Sequence, residues 1–192
     1  VFGSIAALKR NKFADRIIVF FSTLFTAVPS FILATLLLYI FCNKLGWFPV
    51  WSPDKPSYVL PVIALAAYPM AYITRLAKTS MLDALSQDYI RTARAKGVSS
   101  FKIIFGHALK NSLIPVITYF GPMLAYIVTG SLVVEQIFAV NGIGRAFVNS
   151  ITNRDYPLIM GTTIVLASLI VIMNLLSDIM YKIVDPESPW SK

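Results

Sequence analysis

Histidine and cysteine occur once each in this chain, as His107 and Cys42. One cysteine excludes an internal disulfide and a cysteine-based metal cluster. Cys42 closes an apolar run and reads as a buried, inert thiol. One histidine excludes a His pair for zinc and the H-E-x-x-H arrangement. No G-x-x-x-x-G-K-[ST] segment is present to cradle phosphate, and no serine lies in a G-x-S-x-G turn. No catalytic residue, cofactor site or metal site is therefore expected, and the chain does not read as an enzyme. Charge is scarce as well: 14% of residues are charged, against roughly 25% in soluble domains.

Apolar residues fill the space that charge leaves. They make up 57% of the chain, and mean hydropathy is +0.71. Four runs reach the roughly 20 residues a spanning helix needs: Ile17 to Cys42, Tyr58 to Ala77, Leu113 to Val134 and Leu158 to Tyr181. Each is apolar on all faces, unlike an ordinary surface helix. Pro29, Pro61, Pro69, Pro115 and Pro122 interrupt them, which membrane helices tolerate because neighbours and local winding changes satisfy the freed carbonyls. Small residues such as Gly121, Gly130, Gly161 and Ala167 permit close helix packing.

Orientation follows from the basic residues. Lys9, Arg10, Lys12, Arg16, Arg75, Lys78, Arg91, Arg94, Lys96, Lys102, Lys110, Lys182 and Lys192 fall in one set of segments, and only Lys44, Lys55, Arg145 and Arg154 in the other. The positive-inside bias makes the first set cytoplasmic. The chain is then a multi-pass protein of the plasma membrane with both of its ends inside. Trp47, Phe48, Trp51 and Tyr58 fall where an outer aromatic belt belongs. The net charge of +8 is dispersed over inner loops, not gathered into the continuous basic surface that nucleic acid needs, so lipid and not nucleic acid is the expected surroundings. Val1 to Ala7 is too short for a charged region, an apolar core and a cleavage site, and a chain that starts with Val is expected to be a fragment without its natural start.

Residues 78–112 form the most informative loop. Leu82, Leu85, Tyr89, Ile90 and Ala93 recur at helical spacing. Asp83 and Asp88 lie early in that expected helix and Arg91, Arg94 and Lys96 late, as the helix dipole favours. Gly97 follows as a C-terminal cap. A second short helix starts at Ser99 or Ser100, with Phe101, Ile104, Phe105, Ala108 and Leu109 in one apolar stripe and Lys102 and Lys110 off it. Periodicity alone leaves open whether that stripe lies on lipid or docks on a protein.

The wording of this loop, Asp88-Tyr-Ile-Arg-Thr-Ala-Arg-Ala-Lys-Gly97 followed by His107-Ala-Leu-Lys-Asn-Ser-Leu-Ile-Pro115, resembles the EAA loop of ABC importer permeases. It is most similar to the first of the two permease subunits of oligopeptide and dipeptide importers. Val134-Glu-Gln-Ile-Phe138, Asn141-Gly-Ile-Gly-Arg145, Arg154-Asp-Tyr-Pro157 and Asp185-Pro186 fit too, as do Ala6-Ala-Leu-Lys-Arg10 and Leu45-Gly-Trp-Phe-Pro49 upstream.

The resemblance implies an all-α polytopic membrane helix bundle, with residues 1–192 forming one transmembrane permease domain. It implies that the loop couples to cytoplasmic ATP-binding subunits through Asp88, Tyr89, Arg91, Ala93, Arg94, Ala95, Gly97, Phe101, Ile104, Phe105, His107, Asn111 and Pro115. It further implies an external mouth at Glu135, Gly142 and Gly144 in the outer loop 135–157. The implied partners are a second permease subunit, the ATP-binding subunits, an external substrate-binding protein and membrane lipid. The cargo could be oligopeptide, dipeptide, nickel or sugar, since relatives of similar wording differ. Two departures stand out. Arg91-Thr92-Ala93 replaces Glu-Ala-Ala, so no role of that glutamate carries over. Family members also usually have two more spans and an external segment ahead of this region.

Two acidic positions read either way. Asp178, one turn from Asn174, is four residues before Lys182 and suits a local pair, though intramembrane carboxylates default to functional hypotheses. Glu135 is a solvated flank or part of the outer mouth. A secondary transporter or channel would need charge at mid-membrane or inverted repeats, and an intramembrane enzyme would need paired acids or histidines within spans. Neither pattern is visible.

Overall fold

The computed structural model describes residues 1–128 and 131–184. Gly130, Asp185, Pro186 and Lys192, which enter the sequence reading, lie outside the described residues. Every regular element among the described residues is a helix, with one isolated bridge between Ser52 and Lys55. The described residues divide into two compact units, one made of Val1–Thr26, Met70–Phe120 and residues 178–184, the other of Ala27–Pro69 and the described residues of Gly121–Ser177.

Helix α1 covers Phe2–Leu8. A turn with Asn11 at φ 65° leads into α2, Phe13–Ala27. Proline disfavours helical backbone in the residue before it, so α2 stops ahead of Pro29, whose ψ of 139° is extended. Helix α3, Ser30–Leu37, follows and widens into a π-type turn over Leu38–Lys44. The first expected span is therefore two helices, and Pro29 is not absorbed within one continuous helix.

Helix α4, Val59–Ser86, holds Pro69 in its interior, while Pro61 sits in the first turn, where an N–H would be unpaired anyway. α4 runs nine residues beyond the expected end at Ala77, which corrects the reading of Leu82 through Ala93 as one helix. The Ser86 hydroxyl donates to the Asp83 carbonyl at 2.8 Å and competes with the next backbone bond. Gln87 is extended, so Asp83 belongs to the last turn of α4 and Asp88 opens α5, Asp88–Ala95.

Beyond α5, the short helices α6 (Ser100–Lys102) and α7 (Leu109–Ser112) flank a π-type turn, Ile103–Ala108. Helix α8, Ile114–Val128, bends by 42° from that segment. Pro115 lacks the N–H that would reach the Asn111 carbonyl and crowds it. Then come α9 (Leu132–Ile137), α10 (Ile143–Asn153) and α11 (Tyr156–Val184). The Asp155 carboxylate starts α11 by accepting the Leu158 N–H at 3.1 Å.

Val59–Ser86 and Tyr156–Ile179 are each long and apolar enough to cross a membrane, and the spans rise to four if each bent pair counts as one. Gly121 meets the packing expectation: a Cβ there would lie 2.0 Å from the Ser177 hydroxyl. Gly161 does not, since nothing lies within 4 Å of its Cβ position. Asp178 and Lys182 are both exposed and form no ion pair among the described residues, which corrects the local-pair expectation. An exposed pair gains little against the freedom it gives up.

Candidate functional site

The loop after α4 is built around a small apolar cluster. Ala7, Met81, Ala84, Ile90, Ile103 and Ala108 are buried together, with Leu82, Leu85, Ala93, Val98 and Ile104 packed against them. Ile90 and Ala108 are fully covered. The cluster draws α1, the end of α4, α5 and the π-type turn into one knot, so the loop is a folded object and not a tether.

Its central corner is a Schellman turn. Val98 N–H donates to the Ala93 carbonyl at 3.1 Å and Gly97 N–H to the Arg94 carbonyl at 3.0 Å. Gly97 takes φ +75°, the left-handed region that only glycine enters without strain. Both Ala93 and Val98 pack on the cluster, so the turn is locked from inside. The capping role expected for Gly97 is what the backbone shows.

The single apolar stripe expected over Phe101 to Leu109 is corrected. The π-type turn winds Ile103–Ala108 more loosely than an α-helix, so residues five apart share a face. Ile103 and Ala108 point inward, while Phe101 and Phe105 remain 72% and 54% exposed. Their rings lie 4.5 Å apart and form an outward aromatic pair. Ile104 sits between the two faces and lines a shallow cleft with Ala7, Leu8, Leu85, Arg94, Ser100 and Ile103. His107 is exposed on the same turn.

Other expected loop residues are also brought together. The Asn111 amide donates to the Tyr89 hydroxyl at 3.0 Å, tying α7 to α5. Arg91 reaches Asp88 at 3.3 Å, an exposed pair of small energetic weight. Ala95 and Pro115 are exposed.

The second candidate region lies across α9 and α10. Glu135 is not a solvated flank: its carboxylate accepts the Arg145 N–H at 2.9 Å and so caps the first turn of α10, where the dipole favours an anion. The expected glycines make this possible. A Cβ on Gly142 would lie 2.3 Å from the carboxylate, and one on Gly144 would lie 2.8 Å from Leu132 Cδ2. Glu135, Gly142 and Gly144 thus form one constellation. The Arg145 guanidinium donates instead to the Ala139 carbonyl and, at 3.0 Å, to Asn141 Oδ1. Ser131 caps α9 by accepting the Val134 N–H at 3.2 Å, and Val134 and Phe138 bury themselves against Ala34, Leu60 and Ala64.

Sequence reasoning missed three features. Ile103 lies off the 3.6-residue stripe, so the periodicity gives no sign of its burial. The role of α1 in the knot left no periodic signal in so short a helix. Asp15, 5% exposed, pairs with Lys78 at 2.5 Å; a lone acid among Lys9, Arg10, Lys12 and Arg16 was the available hint. Among the described residues, no group of acidic, cysteine or histidine side chains could hold a metal ion.

Comparison with known proteins gives a consistent result. The family model described as "Binding-protein-dependent transport system inner membrane component" matches residues 1–188. The chain is 51% identical over 187 residues to the dipeptide transport system permease protein DppB of Bacillus subtilis (strain 168), covering 97% of this chain and 61% of that protein. It is 43% identical to the oligopeptide transport system permease protein OppB of Haemophilus influenzae, over 96% of this chain and 61% of that protein. Against the oligopeptide transport system permease protein AppB of Bacillus subtilis, identity is 42% over 96% of this chain and 62% of that protein. The chain thus spans about three fifths of the length of these relatives.

Proposed function

The chain belongs to the family of binding-protein-dependent transport system inner membrane components, and we propose that it contributes to the translocation path of an ATP-driven importer for peptides. Under this reading the α5–α7 loop faces the cytoplasm and seats on an ATP-binding subunit. A second permease subunit completes the path, and an external binding protein delivers the cargo. Peptide is favoured over nickel or sugar because the relatives quoted above carry dipeptide or oligopeptide transport in their names. ATP hydrolysis is assigned to another chain, since no phosphate-cradling segment occurs here. Both ends of this chain are assigned to the cytoplasmic side of the plasma membrane on the distribution of Lys and Arg.

The observation that carries the docking role is the Phe101/Phe105 pair. Two large rings stay exposed on a turn whose other face is anchored by Ile103 and Ala108. A rigid base with protruding aromatic anchors is what a groove on a partner needs. Burying one such side chain contributes about 1.5–3 kcal/mol, and about 1.4 kcal/mol is tenfold in affinity. Phe105→Asp in the full-length subunit should therefore weaken co-purification of the ATP-binding subunits about tenfold or more and lower peptide uptake with it. If both survive the change, the pair faces lipid and the docking role is wrong. For orientation, cysteines placed at Ser52 and Asn149 should react with an impermeant external thiol reagent and one at Ser99 should not; labelling at Ser99 in intact cells reverses the topology.

A further inference from the structure

Three contacts converge where α1, α2 and α4 meet, and the proposed docking loop does not account for them. The first is backbone packing of α1 on α4. A Cβ added to Gly3 would lie 2.4 Å from the Thr74 carbonyl oxygen and 2.7 Å from Ala77 Cβ, closer than any side chain tolerates. Ala6 on the same helix is fully buried, and at Gly3 the backbone of α1 lies directly against α4. The second is the ion pair. Asp15 in the first turn of α2 meets Lys78 of α4 at 2.5 Å and also accepts the Asn11 N–H at 2.9 Å. The third is Ala7, which enters the same cluster as Met81, Ala84, Ile90, Ile103 and Ala108. One side of α1 therefore touches α4 and its end touches the loop knot.

We propose that α1 and the Asp15–Lys78 pair form a clamp that makes the α5–α7 knot and the adjoining end of α4 a single rigid body. Movement imposed on the loop then passes into α4 instead of being absorbed in the linking turn at Gln87. Gln87 is extended and exposed; Met81 and Ala84 of α4 pack with Ile90 across that turn, and the contact of α1 with both α4 and the cluster adds a second tie beside it. Asp15, Lys78 and Gly3 are positioning residues in this scheme, since none of them belongs to the exposed docking face. The pair is part-buried, with the Asp15 side chain 7% and the Lys78 side chain 21% exposed, so separating the two leaves the less accessible carboxylate without its cation.

This inference rests on the importer reading, and its test separates the two. The full-length subunit is assembled with its partner permease and ATP-binding subunits in proteoliposomes, with the binding protein and a peptide supplied. Peptide uptake by the wild-type complex, driven by ATP, tests the importer reading by itself. The clamp predicts that Asp15→Asn and Lys78→Gln each lower peptide moved per ATP hydrolysed by about fivefold or more, with ATP-binding subunits still co-purifying. The exchanged pair, Asp15→Lys with Lys78→Asp, should recover most of the ratio. Unchanged peptide-to-ATP ratios in both single variants would overturn the clamp.

Should the single variants fail to assemble, a crosslink decides. Asp15→Cys and Lys78→Cys are combined with Cys42→Ser and bridged by a short bifunctional thiol reagent. Uptake that returns on bridging supports a contact kept closed through the cycle. Uptake that is present without the bridge and lost with it shows that the contact must open, and the clamp is then wrong.

Discussion

The α5–α7 loop and the α9–α10 segment turn their corners with the same backbone motif but carry its cost differently. In the first, Gly97 occupies the left-handed position and Val98 N–H reaches Ala93. In the second, Ala139 occupies it at φ 57° and Val140 N–H reaches the Glu135 carbonyl at 2.9 Å. Left-handed backbone costs a residue with a Cβ roughly 1–2 kcal/mol. The glycine corner avoids that cost and is backed by an apolar cluster. The alanine corner bears it and is backed by polar contacts, with Arg145 donating to the Ala139 carbonyl and Glu135 capping α10, while Phe138 next to it is 2% exposed. A strained turn persists where its surroundings over-determine it. The difference teaches that the loop corner rests on burial, while the second corner combines burial of Phe138 and packing of Val140 with directed side-chain hydrogen bonds.

The comparison is broken most severely at Ile103. Truncating it to alanine removes a side chain 2% exposed and should destabilise the loop by about 2–5 kcal/mol, whereas Phe101→Ala should alter loop stability by no more than about 0.5 kcal/mol. Hydrogen exchange of the loop amides in the detergent-solubilised subunit would register this. Equal effects at both positions would mean that the stripe winds as a regular α-helix. Next in size is Glu135→Ala. Losing a charged acceptor at the start of α10 should cost about 1.5–3 kcal/mol, seen as faster exchange at Gly144 and Arg145 and none in the loop.

Smaller effects test the two corners directly. Gly97→Val places a β-branched residue at positive φ and should cost about 1–2 kcal/mol. Nothing lies within 4 Å of the Cβ position, so the whole penalty is backbone strain. Gly97→Asn should then lose less than Gly97→Val, and equal losses in thermal unfolding would point to a steric cause instead. The reciprocal change, Ala139→Gly, should be the mildest and of opposite sign, stabilising by about 1 kcal/mol or less. A clear drop in melting temperature for Ala139→Gly would show that the second corner is not strained.

Some of the candidate site was legible residue by residue. Gly97 was readable because a glycine after a run of basic residues marks a helix end by local chemistry alone. Glu135, Gly142 and Gly144 were named together, but only as an external mouth implied by wording; that the glycines leave room for the carboxylate needed the folded positions of α9 and α10. Pro29 reads from sequence as an interruption within one span, and in the structure it separates two helices, Phe13–Ala27 and Ser30–Leu37. Asp83 and Asp88 share one helical pattern in the sequence and fall on two helices, because the backbone turns extended at Gln87 between α4 and α5.

The sequence by itself determined that this is a helical membrane chain of the permease family, with long apolar runs and a structured loop between two of them. That follows because transfer of apolar residues adds up along the chain and needs no partner, and because glycine at a helix end acts within its own turn. Only the tertiary structure decided which face of the loop helix is buried, which acid is paired and which helix packs on which. Asp15 and Lys78 are 63 residues apart, and the π-type turn at Ile103–Ala108 is set by what Ile103 and Ala108 pack against. Such choices are made by contacts between distant segments, and no local pattern encodes the partner.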